Sequence, residues 1–419
     1  MDPKERHGPC SPIAEMMPST QNILEGDRLR VESLQARFKP KTKTNKYNSR
    51  FLQDDTKQVD ITAYVAGDNC AVDISLGTPG QNLRLALDTN SDLTWIRCVH
   101  VDGGLVGMEF KANVSTSFLN FSCSSSECTQ LLPEHTCGTF NNTANMCSQY
   151  IQHVDGSYEA NGALSMDTLT ITETGGEAFQ NWSFVCATEV KDTLTDGGFG
   201  VIAGMLGLAR NSIFVKQIIN QIYGAMFSYC IPSDGSEIGF LKLGKRVYPD
   251  NTPFTPIITN SAFPSFYFIG ITSISVSGVK LAIHTDTRAI IDTGVSFTRL
   301  PTSVYENMRN EFRNYMSRYG YGKLLQNSSV GDILDTCYDI SSNQNIIFPT
   351  ISFEFKGVAL YLSDNASLYD KDSTRVKCLA FAGNSPNDWV SFGNNQLRKL
   401  EVVYDIQGNQ LGFVPRGCK

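Results

Sequence analysis

The sequence has no long apolar run. Nowhere in its 419 residues is there a stretch approaching the roughly 18 uninterrupted apolar residues of a membrane helix, so no membrane span is expected. It also lacks a basic surplus: 42 acidic residues face 35 basic ones, a net charge of -7. A general nucleic-acid binder needs a basic face, so nucleic acid is not an expected partner. Histidine is scarce, at five residues, and the cysteines show no paired C-x-x-C spacing. A zinc site is therefore the weaker reading of those cysteines, and no metal or cofactor is expected. Residues 1–40 are polar and charged, without the apolar core of a secretion signal.

Other features point to the secretory pathway all the same. There are 12 cysteines, and Cys123, Cys128, Cys137 and Cys147 crowd into a Ser- and Asn-rich stretch. Disulfide-stapled loops in an oxidising compartment account for that pattern better than zinc does. Glycosylation triplets occur at Asn113, Asn120, Asn141, Asn181, Asn327 and Asn365. The expectation is a secreted or vacuolar glycoprotein whose signal segment is not part of this sequence.

One short phrase occurs twice. Leu85-Ala86-Leu87-Asp88-Thr89-Asn90-Ser91 is echoed by Ala289-Ile290-Ile291-Asp292-Thr293-Gly294-Val295. Each copy is an apolar run, then Asp-Thr, then a turn residue. An apolar run of this length reads as a buried strand. It delivers an aspartate into the interior, where a lone carboxylate is costly unless paired or hydrogen-bonded. Two such strands predict two lobes meeting at a shared carboxylate pair, which is suited to acid–base chemistry. About 100 residues after each aspartate lies an apolar stretch ending at glycine, Ala203 to Leu208 and Trp389 to Asn394. Glycine there lets a second strand cross close beside the aspartate loop. A single Asp-Thr is more simply a turn cap; the matched frames argue against that.

Three segments are expected. Residues 1–58 read as a propeptide and basic linker, with helical spacing from Glu25 to Phe38 (Leu29, Val31, Leu34, Phe38) and then the run Lys39 to Lys46. Its cations would shield an acidic cleft until removed; a disordered tail is the blander alternative. Residues 59–255 and 256–419 are the two lobes. Ala71–Leu76, Gly162–Ile171 and Phe266–Val276 read as strands, and helical periodicity is limited to Val215–Tyr223 and Thr302–Tyr319. Many strands and few helices predict an all-β architecture of barrels or sandwiches.

The ordered motifs resemble those of the pepsin-type aspartic endopeptidases, most nearly the plant nepenthesin-like and nucellin-like branch. They are Leu76–Pro79, Asp88–Trp95, Asp155–Ser157 with Gly162, Gly204–Leu208, Phe227–Cys230, Ile291–Gly294 with Arg299–Pro301, Val403–Asp405 and Gly412–Phe413. His7–Pro12 is similar to prosegments of that branch, including its chloroplast-nucleoid DNA-binding-like members. The resemblance implies a bilobal fold of two pseudo-twofold-related β-barrel-like lobes, a central cleft and a monomer. It implies an endopeptidase acting on proteins or peptides at acidic pH through a water activated by Asp88 and Asp292. Thr89 and Thr293 would cross-brace the two loops. The hairpin from Gln152 to Tyr158 would be a flap, with His153, Asp155, Gly156 and Ser157 at its tip and Trp95 as its partner. Disulfides Cys337–Cys378 and Cys230–Cys418 are implied as well.

The sequence departs from the family at the chemistry. Asn90 stands where glycine is usual, and asparagine is among the residues that best tolerate a left-handed backbone. Val295 replaces a hydroxyl residue while Ser91 keeps one, so only one lobe retains the hydroxyl expected on the outer carboxylate oxygen. His153 takes the place of the flap tyrosine. It would titrate in the working range, or it is simply an exposed hairpin histidine. Cys70 occupies an unusual strand position, which leaves the N-terminal pairing open. A second reading follows from these changes: a weak or inactive homologue that binds proteins as an inhibitor or receptor does.

Overall fold

The computed structural model describes residues 20–36, 57–66, 69–98, 109–140, 143–152, 158–171, 176–192, 202–232, 238–244, 248, 251–325, 333–341, 346–371, 375–384, 389–415 and 417–418. The chain is mostly strand. Its longest helices are α1 (Thr20–Ala36) and the helix Thr302–Arg318. The all-β expectation holds, and the elements fall where the apolar patterning put them: Asn69–Leu76, Tyr158–Ile171 and Phe268–Val276 are strands.

A platform of antiparallel strands joins the two halves. Gln58–Ala66 pairs with Gly239–Gly244, which pairs with Met226–Cys230. Met226–Cys230 then pairs with Leu400–Asp405, more than 170 residues later in the chain. Leu400–Asp405 pairs with Gln410–Pro415, and that strand with Phe254–Ile258. Val59, Ile61 and Ala63 are buried at alternate positions of strand Gln58–Ala66, while Met226–Cys230 and Leu400–Asp405 at the centre are buried throughout. Phe227 and Tyr404 stack there with ring centroids 4.4 Å apart.

On this platform each half builds the same local device. In the first, strand Gln81–Asp88 runs parallel to Gly204–Gly207, which is also antiparallel to Trp95–Arg97. In the second, Arg288–Ile291 runs parallel to Val390–Phe392, which is also antiparallel to Thr298–Pro301. The crossing strand must come very close to the aspartate loop, which is why it ends in glycine. A Cβ on Gly207 would lie 2.5 Å from Leu93 O, and one on Gly393 would lie 2.7 Å from the Phe297 carbonyl carbon. Hydroxyls from the aspartate loops meet the glycines at matching places: Thr94 Oγ1 accepts the Gly207 N–H at 3.1 Å, and Thr298 Oγ1 accepts the Gly393 N–H at 3.1 Å.

Five disulfides are formed: Cys98–Cys186, Cys123–Cys137, Cys128–Cys147, Cys230–Cys418 and Cys337–Cys378. The last two are the implied pairs, and the first three settle the pairing left open in the N-terminal half. His135 lies beside Cys123 and Cys137, but those sulfurs are bonded to each other and offer no thiolates to a metal. Cys70 is a free thiol buried inside its strand, and burial pushes its pKa up to about 12. Cys10 lies outside the described residues. Among the described residues no helix is long and apolar enough to cross a membrane.

Candidate active site

Both aspartates sit at the ends of buried strands and face each other across the junction of the halves. Asp88 is 3% exposed and Asp292 is fully buried. Each loop folds back on its own carboxylate: the Asn90 N–H donates to Asp88 Oδ1 at 2.9 Å, and the Gly294 N–H donates to Asp292 Oδ1 at 3.0 Å. Thr89 and Thr293 lace the loops together. The Thr89 N–H donates to Thr293 Oγ1 at 3.1 Å and the Thr293 N–H to Thr89 Oγ1 at 3.3 Å. Each hydroxyl in turn donates across the junction, Thr89 to Ile291 O at 2.8 Å and Thr293 to Leu87 O at 2.7 Å. Four bonds related by a local twofold thus fix the spacing of the two carboxylates.

The turn residues differ from expectation. Neither Asn90 nor Gly294 is among the residues with a left-handed backbone, so Asn90 is not there for that tolerance. Its side chain does something else: Nδ2 donates to Ile291 O at 3.1 Å, adding a second donor to a carbonyl of the opposite half. Ser91 Oγ donates to Leu93 O at 3.1 Å and accepts the Leu93 N–H at 3.3 Å, so the retained hydroxyl is engaged with its own loop. Val295 is fully buried.

Strands Thr143–Gln152 and Tyr158–Ile171 form the expected hairpin, paired as far as Gln152 opposite Glu159. The tip residues His153, Asp155, Gly156 and Ser157 lie outside the described residues. Trp95 is buried against Cys128, Leu132, Cys147 and Ile151.

The feature that sequence reasoning missed is what fills the space between the aspartates. Helix α1 lies across the junction. Its buried face is Leu24, Asp27, Arg30, Val31 and Leu34, spaced three to four residues apart as one helical stripe. Leu24 packs with Phe297, Leu334 and the Cys337–Cys378 pair. Leu34 packs with Phe263, Phe266, Phe268, Ile290 and Trp389. Between these two apolar anchors Arg30, 2% exposed, puts its guanidinium between both carboxylates. Nη2 donates to Asp88 Oδ1 and to Asp292 Oδ1, each at 2.7 Å; Nη1 donates to Asp88 Oδ2 at 3.0 Å; Nε donates to Asp292 Oδ1 and Oδ2 at 3.0 and 3.1 Å. Burial works against charge on Arg30, but the attraction of Asp292 and Asp88 and the hydrogen bonds to both outweigh it. Its pKa stands well above the ordinary value.

Asp27, one turn earlier on the same face, accepts the backbone N–H of Ser296 on Oδ1 at 2.8 Å and that of Phe297 on Oδ2 at 2.9 Å. Arg299 Nη2 donates to Leu24 O at 3.0 Å. The cation seen between the carboxylates is thus Arg30 of the helix, a residue the sequence reading did not single out. The basic run Lys39 to Lys46 lies outside the described residues. In the sequence, two charged residues three apart inside an apolar helical stripe were the available signal.

Known proteins resemble this chain over nearly its whole length. A relative from Arabidopsis thaliana, named an aspartyl protease family protein, is 34% identical over 99% of this chain and 86% of its own length. The chain belongs to the plant pepsin-like aspartic protease family. Another family member, the aspartyl protease AED1 of the same plant, is 33% identical over 98% of this chain and 85% of its own. Nepenthesin-2 of Nepenthes gracilis is 28% identical over 86% of this chain and 80% of its own. Family models described as xylanase inhibitor N-terminal and C-terminal match residues 71–245 and 266–415. Among solved structures, edgp superimposes with a TM-score of 0.71 at 18% identity, over 88% of this chain and 96% of its own. Soybean basic 7S globulin gives 0.70 at 17%, over 86% and 98%. These structures share the pepsin-like fold, as the family predicts.

Proposed function

We propose that the chain is the closed precursor of an aspartic endopeptidase, with Asp88 and Asp292 as its catalytic pair. The observation that carries this is the single guanidinium shared by both carboxylates at 2.7 Å to each, because one bound group touching both is what an activated water would also do. Two carboxylates this close do not both ionise readily without a cation between them. With Arg30 in place its guanidinium occupies the position between the carboxylates that the water needs. Once Arg30 leaves, the pair keeps one proton, and the two titrations belong to the pair rather than to either residue.

A water between the carboxylates then loses a proton to the ionised aspartate and attacks the scissile peptide carbonyl. The protonated aspartate donates to the carbonyl oxygen. The resulting diol collapses as a proton passes to the departing amine. The laced threonine loops hold the two carboxylates at fixed separation through this exchange, so reorganisation is small. The hairpin tip closes over the substrate and excludes water. Residues 1–58 act as the propeptide, and residues 59–255 and 256–419 as the two lobes of the enzyme. Five disulfides and the plant protease relatives fit a protein of the secretory pathway.

The test is cleavage of a denatured protein from pH 3 to 7, with and without pepstatin, by the full chain and its Asp88→Asn and Asp292→Asn variants. Acid-dependent cleavage lost in both variants is the expected result, with a new N-terminus near residue 58. Cleavage that survives either substitution removes the dyad assignment. Tight binding of a partner protein with no cleavage by any form supports the inhibitor-like reading instead.

A further inference from the structure

The contacts of α1 fall mainly on the second half of the chain, and they outline a second polar site beside Asp292. Asp27 is buried, and its two carboxylate oxygens each take one backbone N–H, from Ser296 and from Phe297. Two successive N–H groups aimed at one carboxylate form an anion cradle of the kind found in backbone nests. Next to it is Arg299, only 3% exposed. Its guanidinium gives one hydrogen bond to α1, at Leu24 O, while its Nε has no partner. Burial draws the pKa of Arg299 down, and the charge that opposes this most is Asp27. The other charges acting on it, Arg28, Glu32 and Glu25, are on α1 too. When α1 departs, a buried cation and two converging N–H groups lose their anion together.

Arg299 also borders a cavity of about 590 Å³ between α1 and the second half, walled with it by Thr302, Tyr305, Gly383 and Asn384; Ser296 and Phe297 are not in its lining. Glu306 and Arg309 also line it. Glu306 is exposed to solvent, and Arg309 is bound to Asp335 at 2.6 Å. The enzyme body therefore offers Arg299 no buried carboxylate of its own among the described residues.

We infer that Arg299 and the backbone N–H groups of Ser296 and Phe297 form a carboxylate-binding subsite, filled by Asp27 in the closed form and by an acidic side chain of the peptide substrate in the open form. This rests on the endopeptidase reading and names the substrate class for it. Acidic peptides are selected because a neutral side chain leaves a desolvated guanidinium unpaired. Charge-assisted bonds of this kind are the stronger ones, and about a tenfold preference for Glu over Gln is expected.

The experiment uses the full chain with Arg30→Ala, to release α1, and Asp292→Asn, to prevent cleavage. Octapeptides with Glu at successive positions, each with a Gln twin, are titrated at pH 5 by calorimetry. The expected result is one position at which the Glu peptide binds about tenfold tighter. That ratio should fall to near one with Arg299→Gln and be largely kept with Arg299→Lys. No position with a Glu preference, or a preference that survives Arg299→Gln, overturns the inference. If the Arg299 variants do not fold, a peptide of residues 20–36 is bound to the same double variant. Its Asp27→Asn version should bind at least tenfold more weakly, and equal binding overturns the inference. Failure of the dyad reading shows separately, as cleavage by Asp88→Asn or Asp292→Asn chains. Dyad-dependent cleavage without any Glu preference refutes the subsite alone.

Discussion

Arg30→Ala removes one side chain and separates two roles of α1, anchoring and plugging. The apolar anchors Leu24 and Leu34 stay, as do the Asp27 bonds to Ser296 and Phe297. What goes is a cation making five hydrogen bonds to two buried carboxylates. Deleting one partner of a buried ion pair costs about 3–5 kcal/mol, because the other charge is left uncompensated. Here the carboxylates can take up a shared proton and a water, so the lower end is the better guide. At about 1.4 kcal/mol per tenfold, closure of α1 weakens by a factor of roughly 10² or more. Arg30, its pKa raised by Asp292 and Asp88, stays charged at all accessible pH, so the clamp is present in the parent chain at neutral pH. In Arg30→Ala α1 should open. Hydrogen exchange of residues 20–36, measured at pH 7, reads this directly. The parent chain should protect α1; the variant should leave it unprotected. Equal protection of α1 in the two proteins at pH 7 would refute the reasoning, since the helix would then be held by its apolar anchors alone.

Other substitutions test the loops. Asn90→Gly restores the residue common in the family but deletes the bond to Ile291 O, so a loss of about 1 kcal/mol is expected in denaturant unfolding; a gain would mean that the backbone is the constraint after all. Gly207→Ala and Gly393→Ala drive a Cβ into backbone atoms at 2.5–2.7 Å and should abolish a cooperative folding transition on heating. Gly294→Ala should not: its Cβ would meet the Arg30 guanidinium, 2.3 Å from Cζ, which is the far end of a movable side chain. That variant should keep its melting transition above the opening of α1 yet process its N-terminus at higher pH than the parent. Cys70, buried with a thiol pKa of about 12, should resist alkylation at pH 8 until the chain is unfolded, and fast labelling of the native protein would count against its burial.

The aspartate loops were legible because their signal is local. An apolar run, Asp-Thr and a distant apolar stretch ending in glycine are each visible in a few residues, and the duplication made the reading specific. The strand pairing beside each loop, Gly204–Gly207 with Asp88 and Val390–Phe392 with Ile291, follows from the same few residues. The side-chain work of Asn90 was not legible, because its partner Ile291 is 201 positions away and only the tertiary fold brings them together. The helix was harder still. Its periodicity was visible, but the roles of Asp27 and Arg30 depend on partners 58 to 270 positions away. A polar residue in an apolar stripe is costly unless something distant satisfies it, so its presence in a helix that folds signals a partner without naming one.

The inequality of the two copies follows from the direction in which α1 approaches. Outside the dyad it forms hydrogen bonds with Ser296, Phe297 and Arg299, just past the second copy, and Leu24 and Leu34 pack on residues of that same half. The second loop therefore has to leave room: Gly294 lies directly under the guanidinium, where any Cβ would collide with it. The first loop meets no such demand. A side chain is free to stand at Asn90, and it reaches across to Ile291 O rather than outward to the helix. Ser91, turned back onto Leu93, is likewise a residue of its own loop. What looked like decay of a symmetric site is better understood as a division of labour. Both copies brace the junction through their threonines; the first adds the Asn90 bond, and the second lies against α1. On this reading the departures at Asn90 and Val295 sit beside the carboxylates without altering what holds them, since the lacing of Thr89 and Thr293 and the folded-back N–H of each loop are the same in both copies.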